Sequence, residues 1–227
     1  MSNLFRISVY QSSNTFIRFV QLLILLVSVV MLGVVFYSVV QIHSVGTQRT
    51  RMLSNGRAIH QSILAYHLSP VAYPSSLDPW PLKDSEYYEA NSTAYFQWLM
   101  SSEVEWLAED FGLFSGADVP QANSLENFQS EHNAWSVVSD VNIVSASQTP
   151  FLVTRNLNES RLVDWQGSGQ NRLENLGSSK PGGYVIPYDR KYVIVINIGG
   201  GGHVLSKGNL NWENLNPDSI DNVIMEP

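Results

Sequence analysis

Few residues of this chain have chemistry to offer: a glycine run before a histidine, four further histidines and two groups of acids. The glycines occupy residues 199–202, and His203 follows them. A loop that cradles phosphate needs a strand before it and a helix after it, so that amides at the helix start meet the anion. Residues 193–198 read as the strand, but HVLSKGN then reads as another strand. The run is therefore expected to be a hairpin turn with spare glycines, and His203 a strand residue, not a base. His43, His60, His67 and His132 complete the histidines. His60 and His67 share one helix face, yet they stand about 10 Å apart along the axis, too far to chelate one ion. No HExxH occurs.

The acids offer two oxygen-ligand candidates. Glu103, Glu105, Glu109 and Asp110 cluster, and their helical spacing reads as a solvated face. Asp218, Asp221 and Asn222 share the short segment PDSIDN, where oxygens can converge on calcium, although the spacing matches no EF-hand loop. The chain has no cysteine, which excludes disulfides, thiolate catalysis and cysteine-based zinc or iron–sulfur sites. No GxSxG elbow or other marked nucleophile is present. No catalytic, cofactor-binding or metal-ligating residue is assigned, and a non-enzymatic role is expected. A net charge of −7 with no basic run argues against nucleic acid as a partner. The triplets Asn91-Ser92-Thr93 and Asn158-Glu159-Ser160 match the glycosylation pattern, which arises often by chance, and carry no weight here.

The element that must position everything else is residues 19–42, FVQLLILLVSVVMLGVVFYSVVQI, which hold no charge. As helix they reach roughly 36 Å, enough for a hydrocarbon core of about 30 Å with some tilt. A cleaved signal peptide has a shorter apolar region, of about 7–15 residues, and no small-x-small site follows residue 42. The expectation is an uncleaved membrane anchor. Arg6 and Arg18 precede the span, and Arg49, Arg51 and Arg57 follow it, so charge does not assign its orientation. Gln21, Ser28, Gly33, Ser38 and Gln41 are its small or polar positions. Such residues tend to face protein in lipid, although Gln21 and Gln41 are equally placed to reach the headgroups.

The helix is expected to continue past the membrane. Met52, Ile59, Ile63 and Tyr66 recur at helical intervals over residues 48–68, with Arg49, Arg51, Arg57 and Gln61 on the remainder. Gly46 and Gly56 weaken that run by about 1 kcal/mol each relative to alanine. Ser69-Pro70 ends it, because a residue before proline disfavours the α region. A short helix is expected over residues 94–100, capped by Ser92 or Thr93, and one or two more turns over 104–114. Strand content follows at 135–144, 151–154, 183–186, 192–198 and 203–205. Helices first and strands later predict an α+β domain with an antiparallel sheet.

Several segments taken together carry a resemblance. They are residues 55–63 (NGRAIHQSI), Trp80-Pro81, 92–96 (STAYF), 114–120 (FSGADVP), 132–140 (HNAWSVVSD), 149–157 (TPFLVTRNL), and the ending GNLNWENLNP followed by NVIMEP. In this order they resemble bacterial pseudopilin-like proteins, relatives of type II secretion and type IV pilus subunits. The resemblance covers nearly all of 55–227. It implies one long N-terminal helix, half in the membrane and half packed on a C-terminal antiparallel sheet. The front of the chain departs from that pattern: Thr15 stands where the family has Gly, Val20 where it has Glu, and Arg18 lies inside what should be apolar.

The sequence and the resemblance together thus predict an α+β protein with a cytoplasmic tail at 1–18, a transmembrane helix at 19–42, a helix extension at 43–68 and a soluble pseudopilin-like α+β domain at 69–227. The expected role is a membrane-anchored structural subunit of a secretion- or pilus-like envelope assembly. The alternative is a single-pass accessory or binding subunit of a larger membrane complex. The expected partners are the lipid bilayer and, through the N-terminal helix, other membrane protein subunits. The expected location is the bacterial inner membrane, with the C-terminal domain periplasmic.

Overall fold

The computed structural model describes residues 2–69, 78–82, 91–101, 110–116, 119–157, 192–206 and 222–227, with side chains undescribed at 2–16, 41–45 and 206. The chain forms two compact units, Met1–Thr47 and Gln48–Pro227. Helix α1, Ser2–Leu68, contributes to both. The expected tail at 1–18 is therefore helical from Ser2.

In the first unit the apolar window is Ile17–Val40, two residues earlier than the expected 19–42. Its 24 residues have a mean hydropathy of 2.9, and none of the window is buried within the protein. Leu22, Leu25, Leu32 and Phe36 all expose more than half of their surface. A helix apolar on every side needs an apolar surrounding, and its length suits a bilayer. The Ser28 and Ser38 hydroxyls donate to the carbonyls of Ile24 and Val34, at 2.8 and 2.9 Å. Their polarity is thus satisfied inside the helix and demands no neighbouring helix.

In the second unit the same helix changes character. Met52, Ile59 and Ile63 are fully buried, Tyr66 is half-buried, and Gln61 is exposed. The helix ends at Leu68, and the Ser69 amide donates to the Tyr66 carbonyl at 3.1 Å, just before Pro70. Helix α2 is Ser92–Ser101. Its cap is neither Ser92 nor Thr93 but Asn91, whose Oδ1 accepts from the Ala94 amide at 2.8 Å. Ser92 is taken up elsewhere, its hydroxyl donating to the Trp135 carbonyl at 2.7 Å.

Five strands form one antiparallel sheet: β1 Trp135–Val138, β2 Pro150–Thr154, β3 Tyr192–Asn197, β4 Gly202–Ser206 and β5 Ile224–Met225. Their order is β4-β3-β2-β1-β5. The architecture is α+β, as the sequence predicted. β1 is shorter than the expected 135–144 because Asp140 takes the left-handed conformation, φ 56°, which Asp tolerates better than most residues. Asn142 then closes a turn, its Oδ1 accepting from the Val144 and Ser145 amides at 3.0 and 3.1 Å. The strand expected at 183–186 lies outside the described residues. So does 104–109; of that expected helix the described part is a 3-10 turn, Phe111–Leu113. β5 falls in a segment to which the sequence assigns no element, and two residues are too few for any periodicity to mark.

α1 lies against the sheet through glycines. A Cβ on Gly56 would come within 2.6 Å of Ile196 Cγ1 and 2.7 Å of Trp135 Cη2. Gly202 meets Leu53 and Arg57 in the same way, and Gly116, at φ 133°, meets Met52 Sδ at 2.6 Å. Asn55 Nδ2 adds a hydrogen bond to the Gly112 carbonyl at 2.8 Å, and the Arg49 guanidinium stacks 3.6 Å from the Tyr192 ring centre.

Candidate functional site

The glycine run is the turn of the β3–β4 hairpin, with Ile196 paired to Gly202. Three successive amides at its start, 198–200, are already spent. Ile198 N donates to Thr149 O at 2.9 Å, Gly199 N to Ser147 O at 2.9 Å and Gly200 N to Asn197 O at 2.8 Å. An anion nest needs such donors free and convergent, so the turn offers phosphate no cradle at these positions. His203 sits exposed on β4, opposite Val195.

His60 and His67 share the helix face expected of them, and Trp80 stands between them. Its ring centre lies 6.0 Å from that of His60 and 6.3 Å from that of His67, with edge contacts to both. Phe151 completes the group, 6.1 Å from His60 and 5.1 Å from Trp80. His60 is 97 % buried, with an exposure of 3 %. Its Nε2 lies 2.7 Å from the Ile198 carbonyl. A carbonyl only accepts, so Nε2 carries the hydrogen and Nδ1 is the bare nitrogen. Burial holds this imidazole below its usual range, partly offset by that hydrogen bond. At the other end of the group, His67 Nδ1 lies 3.6 Å from Asp78 Oδ1. His132 accepts from the Gln129 amide at 3.2 Å and closes a local cap. The side chain of His43 is outside the described residues.

Among the described residues no three His, Asp or Glu side chains gather as a metal would require. Asp110 accepts from the Gly112 amide at 2.9 Å and caps the 3-10 turn, while Glu103, Glu105 and Glu109 lie outside the described residues. Of the PDSIDN segment, Asp218 and Asp221 also lie outside them. Asn222 is buried and donates to the carbonyls of Ser139, at 2.7 Å, and Asp140, at 3.2 Å. Tyr95 is buried too, its phenol donating to the Pro79 carbonyl at 2.7 Å. Burial, with Asp78 adding to it, raises its pKa well above the usual value.

Of the segments quoted for the resemblance, several within the described residues contribute to the interior. Asn133 Nδ2 reaches Ser92 Oγ at 3.1 Å and Thr93 Oγ1 at 3.2 Å, and its Oδ1 accepts from the Trp135 amide at 3.0 Å. One buried side chain thereby ties STAYF on α2 to HNAW at the start of β1. The Ala134 amide donates to the Phe114 carbonyl of FSGADVP at 2.8 Å, and Arg155 Nη1 donates to the Asn133 carbonyl at 2.9 Å. Two features escaped the sequence reading: Gly56 as a contact point and His60 as a core residue. The clue to both was their register with Met52, Ile59 and Ile63, which puts them on or beside the apolar stripe. Compared with known proteins, the chain matches no family model, no curated protein and no solved structure.

Proposed function

We propose that this chain is a membrane-anchored, non-enzymatic subunit of a bacterial envelope assembly, pseudopilin-like in plan, with its α+β domain on the periplasmic side of the inner membrane. It acts by contact, not by turnover. The observation that carries this reading is the division within one helix. α1 holds an apolar window, Ile17–Val40, that is exposed on all sides, and a later stretch whose Met52, Ile59 and Ile63 are buried in an antiparallel-sheet domain. The ordered segments from NGRAIHQSI to NVIMEP give it further support.

Cysteines placed one at a time through 19–42 test it. Cross-linking in native membranes should show helical periodicity and be strongest beside Ser28 and Gly33. Since the Ser28 hydroxyl is satisfied within its own helix, small size, not polarity, is what favours close approach there. Uniformly weak cross-linking would leave a lone tether and defeat the reading.

A second reading is an accessory subunit of a larger membrane complex, and Thr15 and Val20 favour it. The family's glutamate is missing, and with it the pairing to a neighbour's new amino terminus. Purification in gentle detergent separates the two. Filaments or secretion components favour the first, and a defined complex with unrelated integral proteins favours the second. Intact-mass measurement should find residues 1–15 present.

A further inference from the structure

We propose that His60 is an acid-sensitive latch: its neutral ring fastens α1 to the β3–β4 turn, and uptake of a proton at Nδ1 releases that turn. The geometry has three parts. Nε2 holds the Ile198 carbonyl at 2.7 Å, so the latch closes on the first residue of the turn. Trp80 and Phe151 present ring edges to the imidazole from two other segments. Gly200, at φ 76°, covers the remaining side; a Cβ there would lie 3.4 Å from His60 Cε1 and 3.5 Å from Nδ1. Nδ1 is buried and has no hydrogen-bond partner.

Protonation puts an N–H at that position with no acceptor and a charge inside an apolar cage. A buried, unsatisfied donor and an unpaired charge each cost free energy that water would return. The bond to Ile198 grows stronger when the ring is charged and opposes release. Desolvation is the larger of the two effects and favours the neutral ring. Opening the turn is the way to hydrate Nδ1, and the glycines at 199–202 leave that segment few side chains to displace.

No carboxylate among the described residues touches the ring. On α1 the nearest charged or titratable groups are Arg57 and His67, one and two turns away. Arg57 is directed to Gly202, its Nε 3.2 Å from the Cβ that glycine lacks. The segment at 78–82 brings Asp78, which faces His67 at 3.6 Å. β2 (Pro150–Thr154) and the segment 141–149 carry no titratable side chain, and on β4 His203 is exposed. His67, the other histidine against Trp80, is the necessary control.

The test is amide hydrogen exchange on the full-length protein in detergent micelles at pH 7.5 and pH 5.0, corrected for the intrinsic pH dependence of exchange. In the wild type, protection at 198–202 should fall at least tenfold at the lower pH, while the β1–β2 amides hold theirs. His60→Gln keeps a donor for the Ile198 carbonyl but does not titrate, and should lose this response; His67→Gln should keep it. An equal response in His60→Gln, or none in the wild type, overturns the latch. If His60→Gln does not fold, the His60 Cε1–H resonance of the wild type serves instead. Turn exchange must follow its titration midpoint, and separate midpoints overturn the proposal.

Discussion

The two stretches of α1 are equally helical but differ in what surrounds them. From Ile17 to Val40 nothing is buried, and the side chains are apolar on every side. From Gln48 onward the apolar residues fall on one stripe, and Met52, Ile59 and Ile63 are sealed from solvent. Total hydrophobicity governs the first stretch and its periodicity the second. One helix thus carries two patterns: a bilayer asks only for apolar surface, whereas a sheet asks for apolar surface at fixed angles.

Aspartate substitutions test that contrast most severely. Ile63→Asp buries a carboxylate in the core and should cost at least about 3 kcal/mol. Thermal unfolding of the protein in detergent would register it, while Gln61→Asp on the exposed side should stay within about 0.5 kcal/mol. Equal melting of the two variants would refute the assigned face. Leu25→Asp, in the apolar window, should penalise membrane insertion by about 2.5–3.5 kcal/mol and leave the melting of the Gln48–Pro227 unit unchanged.

Glycine substitutions come next in size, and here the parts of α1 in the two units should differ in sign. A Cβ on Gly46 meets nothing within 4 Å, so Gly46→Ala should gain up to about 1 kcal/mol of helix propensity, read as slower local amide exchange. Gly56→Ala gains the same propensity but drives the new methyl into Ile196 and Trp135. Overpacking of about 1–3 kcal/mol should outweigh the gain, and the unit should melt lower. A higher melting temperature for Gly56→Ala would mean that α1 does not approach the sheet this closely. Asn91→Ala, removing the α2 cap, should cost about 1 kcal/mol.

The last expectation concerns pH and belongs to the second stretch alone. His60 has its folded-state pKa below the unfolded value of 6.5. Between those two values the unfolded chain binds more protons, so stability is full above about 6.5 and declines as pH falls below it. Melting curves from pH 7.5 to 5 should show a downward slope that flattens in His60→Gln. An upward slope would show that the ring gains a counter-charge on folding.

Legibility followed the range of the interactions. The stripe of α1, its end before Pro70 and most of β2 and β3 were readable because local periodicity and local sterics set them. Asn91 was missed as a cap because Ser92 and Thr93 are also good caps; the Trp135 carbonyl and the Asn133 amide claim those two residues instead. β1 was drawn too long because Ile143 and Val144 have strand-like side chains, and the turn that ends the strand rests on backbone conformation at Asp140 and on the Asn142 side chain. Gly56 looked like a weak point in a helix. Its reason lies on strands roughly eighty and one hundred and forty residues further along the chain.

What the sequence determined by itself was the membrane-length apolar helix, the amphipathic continuation and the α+β class, since each follows from composition and spacing along the chain. Tertiary structure decided which glycines are contact points, that the turn amides at 198–200 are already engaged, and that His60 is enclosed with one nitrogen bonded and the other bare. Those outcomes depend on segments distant in sequence meeting at a few ångströms, and neither hydrophobic period nor local propensity carries that information.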